Sequence, residues 1–337
     1  MRRNTSINRA NPLDYPAPWW LPGGHMQTVI PALAGPRMLP QFKPQRLRWN
    51  TPDQDFIDVD VQRALVAPDT PAPLLVLFHG LEGNAQSHYA RAFAASAARA
   101  GWSYAVAHFR GCSGEMNRAP RAYHSGDFEE IDWILQQFAT AFECPLAVVG
   151  VSLGGNALLR WAQECGGDSR YRVKAIASVG APLDLAASGA ALSRGLNRYL
   201  YTPMFLRTMK PKAMRKWRQY PGLFDAAALM AADDLYAFDN VFTAPLHGFK
   251  NTDDYWQRAS AAPRMPAIAL PSLVVNAQND PFVPIASLPA IQTLQQNRYI
   301  EVWRPRHGGH IGFWQGPSAA TMASDHVLAW LARKMGI

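Results

Sequence analysis

The sequence predicts an α/β fold, a mostly parallel, doubly wound sheet with an inserted helical cap, on three observations. Continuous apolar runs such as Leu74–Phe78 read as strands buried on both faces by helices. These runs alternate with helix-period stretches of ten or more residues, the rhythm of βαβ units. Between Asp184 and Pro266 the rhythm stops, and helical patterns rich in Met, Trp, Tyr and Phe take over.

Taken in order, residues 1–50 are proline-rich and read as an irregular arm packing on the core. Residues 51–183 and 267–337 form that core, and 184–266 the helical cap. Alternation in Phe56, Asp58, Val59, Asp60 and Val61 predicts an early antiparallel strand. Buried strands follow at Leu74–Phe78, Tyr104–Phe109, Ala147–Val151, Val173–Val179, Ser272–Asn276 and Tyr299–Trp303. Helices are expected over about His88–Ala100, Asp127–Phe142, Ser152–Cys165, Ile285–Gln296 and Ser318–Met335, and Pro203, Pro211, Pro221 and Pro245 are expected to break those of the cap.

The bulk composition narrows the class. With 337 residues, 48% of them hydrophobic and 17% charged, the chain is globular and can bury a large core. The formal charge of +8 fits an anionic partner, but no helix-turn-helix, zinc-finger or RNA-binding aromatic signature accompanies it, which argues against nucleic acid. Cys112, Cys144 and Cys165 are odd in number and lack C-x-x-C spacing, so each is expected to be a buried packing residue. No signal-peptide pattern follows Met1-Arg2-Arg3 and no window of about 18 apolar residues appears, so a cytoplasmic location is expected. Two features leave peripheral contact with the inner face of the membrane open. Trp19 and Trp20 suit either packing on the core or a membrane interface or pocket mouth. Lys210, Lys212, Arg215, Lys216 and Arg218, set among Met209, Met214 and Trp217, suit either a solvated helix face or anionic lipid.

The chemistry centres on Gly150-Val151-Ser152-Leu153-Gly154, a G-x-S-x-G turn that lifts a serine hydroxyl above the sheet. A serine hydroxyl is a poor nucleophile near neutral pH and needs an imidazole to take its proton. His310 follows the last predicted strand and is the expected base; Asp280 follows the strand before it and is the expected carboxylate that holds the second ring nitrogen. The order Ser152, Asp280, His310 is the one α/β-hydrolases use. Backbone N–H groups of Leu81 and Leu153 are the expected oxyanion donors. His307 and His79 are rival bases and Asp127 and Asp184 rival acids, each with a structural reading that suits it better. No H-E-x-x-H or comparable ligand cluster suggests a metal.

These residues resemble the YheT-like branch of the α/β-hydrolases, bacterial esterases related to eukaryotic membrane-associated lipases. The resemblance rests on Pro18-Trp19-Trp20 with Gly24-His25-Met26-Gln27-Thr28, His79-Gly80-Leu81-Glu82-Gly83, and Arg110-Gly111-Cys112-Ser113-Gly114-Glu115. It extends to Tyr123-His124-Ser125-Gly126-Asp127, the Ser152 turn through Asn156, and Gly308-Gly309-His310-Ile311-Gly312-Phe313. It implies a charge-relay triad of Ser152, Asp280 and His310, no cofactor, and hydrolysis of carboxylic esters. The expected substrates are short- to medium-chain acyl esters, lipid-like ones included. Where the branch often has paired acids, this chain has Asn279-Asp280. Thioester or amide cleavage by the same triad, and a catalytically silent binding protein on the same fold, stay open as alternatives.

Overall fold

The computed structural model describes residues 11–14, 16–65, 72–165, 167–168, 172–314 and 322–337. Its sheet has eight strands: β1 (Gln45–Asn50), β2 (Phe56–Gln62), β3 (Leu74–Phe78), β4 (Ser103–Ala107), β5 (Leu146–Val151), β6 (Val173–Val179), β7 (Ser272–Val275) and β8 (Ile300–Trp303). The spatial order is β1-β2-β4-β3-β5-β6-β7-β8. The first three strands in that order pair antiparallel and the rest parallel. All residues of β3 and β5 are buried, as continuous apolar runs demand of strands covered on both faces.

Helices α1 (Gly23–Met38), α2 (His88–Arg99), α3 (Phe128–Ala141) and α4 (Leu153–Glu164) precede β6. Between β6 and β7 lie α5 (Leu185–Leu192), α6 (Gly195–Gln219), α7 (Ala226–Ala231), α8 (Leu235–Phe238), α9 (Ala244–Leu246) and α10 (Thr252–Ala259), and no strand among the described residues. A short α11 (Ile291–Leu294) and α12 (Met322–Met335) complete the chain. One face of the sheet packs on α2 and α12 through Phe93, Val327 and Leu331; the other packs on α3 and α4 through Ile131, Leu135 and Leu158. From the adjacent strands β3 and β5 the chain departs in opposite directions, which opens a crevice outside their carboxyl ends.

Several expectations need correction. The arm is not irregular throughout, because it contains α1 and supplies edge strand β1. α1 runs through Pro31 and Pro36, and α6 runs unbroken through Pro203 and Pro211. A proline leaves the carbonyl four residues earlier without its helical bond. In α6 those carbonyls belong to Tyr199 and Arg207, both exposed, so water can serve them. In α1 the carbonyl of Gln27 is freed by Pro31 and packs against Gly312, where a side chain would lie only 1.8 Å from it. The helix expected over Ile285–Gln296 is reduced to a 3₁₀ turn at Ile285–Ser287 and the four residues of α11, with Pro289 between them. Cys112 is buried, whereas Cys144 and Cys165 are only half-buried. The expected start of α12 at Ser318 lies outside the described residues.

Candidate active site

Ser152 stands where β5 turns into α4. Its φ of +53° is a conformation that L-residues adopt at a cost of about 1–3 kcal/mol, and the turn holds it there. The Ser152 N–H donates to Val179 O at 2.8 Å. Side chains in place of Gly150 and Gly154 would fall 2.4 Å from Gly154 O and His79 O respectively, so the turn closes only on glycine.

The loops after β7 and β8 bring two further groups to this serine. His310 Nε2 lies 3.0 Å from Ser152 Oγ, and His310 Nδ1 lies 2.8 Å from Asp280 Oδ2. The other oxygen, Asp280 Oδ1, accepts the N–H groups of Phe282 and Val283 at 2.8 and 3.2 Å, which fixes the carboxylate plane. Both Asp280 and His310 are buried. A neutral imidazole with its proton on Nδ1 donates to Asp280 and leaves Nε2 free to accept from Ser152.

Leu81 and Leu153 flank the same point. A side chain on Gly80 would come within 3.1 Å of Ser152 Cβ, so the loop after β3 runs directly beside the serine. Neighbouring amides in that loop are engaged: Gly80 N–H with Tyr89 Oη at 3.0 Å and Glu82 N–H with Tyr123 Oη at 2.9 Å. Among the described residues the N–H groups of Leu81 and Leu153 have no acceptor, and both residues line the cavity above Ser152. Glu82, at φ +57°, is held by Tyr123 Oη and by Lys212 Nζ of α6, each within 3.0 Å.

The rivals are accounted for elsewhere. His79 is buried, with Nδ1 on Gly80 O (2.8 Å) and Nε2 accepting Phe109 N–H (3.1 Å). Burial and then the charge of His108 push it down to about 3, so it is a neutral bracket for the loop. Asp127 pairs with Arg121 at 2.5 Å, Asp184 caps α5 through Ala187 N–H, and His307 stands half-exposed outside the Ser152–His310–Asp280 chain.

Sequence reading missed how the arm supports these loops. The buried Gln27 of α1 accepts from Asn279 Nδ2 (2.9 Å) and Gly308 N–H (2.8 Å) while donating to Leu21 O (2.9 Å). Thr28 Oγ1 accepts His310 N–H at 2.8 Å and donates to Gly24 O at 2.7 Å. Asn279 Oδ1 accepts Gly309 N–H at 3.0 Å. One helix thus ties the loop that carries Asp280 to the loop that carries His310. The available signal was the Gly24–Thr28 motif, which had a family likeness but no role.

Above Ser152 lies a cavity of about 160 Å³, lined by Leu153, Phe205, Met209, Phe238 and Trp256 among others. The basic stretch of α6 is not simply solvated. Lys216 is buried, donates to Asn117 O and Ala119 O at 2.6 and 2.8 Å, and is brought down to about 8 by burial. The tryptophans divide: Trp20 packs edge-on to Trp314, with centroids 6.5 Å apart, and Trp19 is 91% exposed. Among the described residues no helix is long and apolar enough to cross a membrane.

Known proteins place this architecture. A family model described as the alpha/beta hydrolase fold matches residues 73–317. The Escherichia coli (strain K12) protein named "Putative esterase YheT" is 38% identical over 300 residues, 87% of this chain and 84% of that one. "Phospholipase ABHD3" of Bos taurus is 28% identical over 308 residues, 90% of this chain and 73% of its own. Among solved structures, the Pyrococcus furiosus esterase Pf2001 superposes with a TM-score of 0.54 at 13% identity, covering 87% of this chain and 93% of that one, a likeness of fold. The chain belongs to the α/β-hydrolase family, as one of its YheT-like members.

Proposed function

We propose that the protein is a serine esterase that cleaves carboxylic esters through an acyl-enzyme. The observation that carries this reading is the hydrogen-bonded chain from Ser152 through His310 to Asp280, set beneath an apolar cavity. His310 takes the Ser152 proton as Oγ attacks the ester carbonyl, and returns it to the departing alcohol. Asp280 holds the tautomer and steadies the imidazolium. The oxyanion that develops is received by the N–H groups of Leu81 and Leu153. Water, activated by the same imidazole, then releases the acid.

The helical segment 184–266 acts as the cap, since Phe205, Met209, Phe238 and Trp256 form the walls over the serine. A cavity of about 160 Å³ is close to the roughly 150 Å³ that holds one benzene ring, so it suits short to medium acyl chains. The named activities of the relatives, an esterase and a phospholipase, point the same way.

A fluorophosphonate probe is expected to label wild-type protein and not Ser152→Ala. Turnover of a medium-chain ester should fall roughly 10⁶-fold in that variant. Absence of labelling on folded wild type would sink the assignment. Higher kcat/KM on a matched thioester would move the substrate class without moving the triad.

A further inference from the structure

Helix α6 has two unlike faces. Its inner face contributes Phe205, Met209, Lys212 and Lys216 to the cavity over Ser152. Its outer face presents Leu196, Tyr199, Leu200 and Met204, exposed by 57%, 79%, 42% and 51%. These are positions i, i+3, i+4 and i+8, which share one side of a helix. Exposed Arg207, Arg215 and Arg218 continue the same side toward the C-terminal end, and the helix contains no Asp or Glu. The arm meets the helix on its buried side, where His25 stacks on Tyr201 with centroids 5.8 Å apart, while Met26 and Trp19, nearby in sequence, are exposed.

We propose that the outer face of α6 is a docking surface for an anionic phospholipid membrane. The apolar half enters the boundary between headgroups and acyl chains, while the arginines take lipid phosphates. Charge selects this occupant over a second copy of the chain. Two such helices paired parallel would stack arginine on arginine, and paired antiparallel would bury arginines against the apolar half. A bilayer with anionic headgroups satisfies both halves at once. The opposite face of the helix already walls the cavity, so docking sets the cavity beside lipid. The docking holds whatever chemistry Ser152 performs, because it is read without turnover.

The test is co-sedimentation of the full chain with phosphatidylglycerol vesicles and with phosphatidylcholine vesicles, at low and high salt. Wild type should sediment with phosphatidylglycerol at low salt and less at high salt. Replacing three apolar residues together (Tyr199→Ser, Leu200→Ser, Met204→Ser) should cut the bound fraction about tenfold. Reversing three charges together (Arg207→Glu, Arg215→Glu, Arg218→Glu) should abolish the preference for phosphatidylglycerol. All six positions are exposed, and unchanged thermal unfolding of each variant certifies the fold. Three results would overturn the proposal: no wild-type binding at low salt, both variants binding like wild type, or a wild-type dimer in ultracentrifugation that the serine variant dissociates.

Discussion

The helices that flank the sheet and those between β6 and β7 are held in different ways. None of α1 to α4 begins at a side-chain hydrogen bond, and α2 to α4 are fixed by apolar faces laid on the sheet. By contrast four of the six α-helices between β6 and β7, namely α5, α7, α8 and α10, start at a residue whose side chain accepts a helix N–H: Asp184, Asp225, Asp234 and Asn251; α6 and α9 do not. Helices of six and four residues, such as α7 and α8, are too short to persist on propensity, so the cap supplies what a broad buried face gives elsewhere. The sheet region therefore concentrates its sensitivity in a few positions at strand ends, and the cap spreads it over many small contacts.

The largest effect should come from the strand ends. Because Phe282 and Val283 hold Asp280 Oδ1, Asp280→Asn should turn its NH₂ toward His310 Nδ1 and force the ring proton onto Nε2. Turnover should fall roughly 10⁴-fold with the melting temperature little changed; a loss below tenfold would show that the acid does not set the tautomer. Next comes the support from the arm. Thr28→Val strips His310 N–H of its acceptor, a loss worth about 1–3 kcal/mol, so kcat should drop about ten- to hundredfold at unchanged KM. Thr28→Ser should restore it, and a change confined to KM would point to pocket shape instead.

A smaller effect concerns pH. Burial holds His79 and His124 down to about 3 and His88 to about 4, so near pH 5 the unfolded chain binds three more protons at these sites. Burial raises Asp239 to about 6, and burial with the charge of Asp127 raises Glu130 to about 7, so there the folded state binds two more. The histidines lose stability as pH falls below about 6.5, and the raised carboxyls lose it as pH rises through their folded values. The three histidines outnumber the two raised carboxyls, so stability is predicted to decline as pH drops near 5. Urea titrations at several pH values should show this slope, flattened in His124→Asn and steepened in Asp239→Asn. The smallest change tests the cap: Asp225→Ala removes acceptors for Ala227 and Ala228 N–H and should cost about 1 kcal/mol with no effect on turnover.

The strands and their order of chemistry were legible because each is a local statement. An apolar run of β-branched residues, a small-residue turn and a polar group just past the strand need no knowledge of distant chain. That is how Ser152, Asp280 and His310, which the fold brings together, could be picked out as candidates, and why Leu81 and Leu153 are named as donors from their place beside a turn. What escaped reading depends on partners far away in sequence. Prolines in α1 and α6 look like breaks until the freed carbonyls are seen to face water or Gly312. Lys216 reads as a solvated cation until two carbonyls from the segment after β4 are placed around it. Gln27 and Thr28 carry no chemical signature, since an amide and a hydroxyl become supports only when the last loop arrives.

That arrival has a consequence for how the molecule assembles. Gln27 meets Gly308 across a separation of 281 residues, and Thr28 meets His310 across 282. Closing so long a loop carries an entropic cost that is recovered only after the intervening sheet has formed. Refolding should therefore restore secondary structure and the β3–β5 centre of the sheet first. Reactivity at Ser152 should come last, as a separate slow phase.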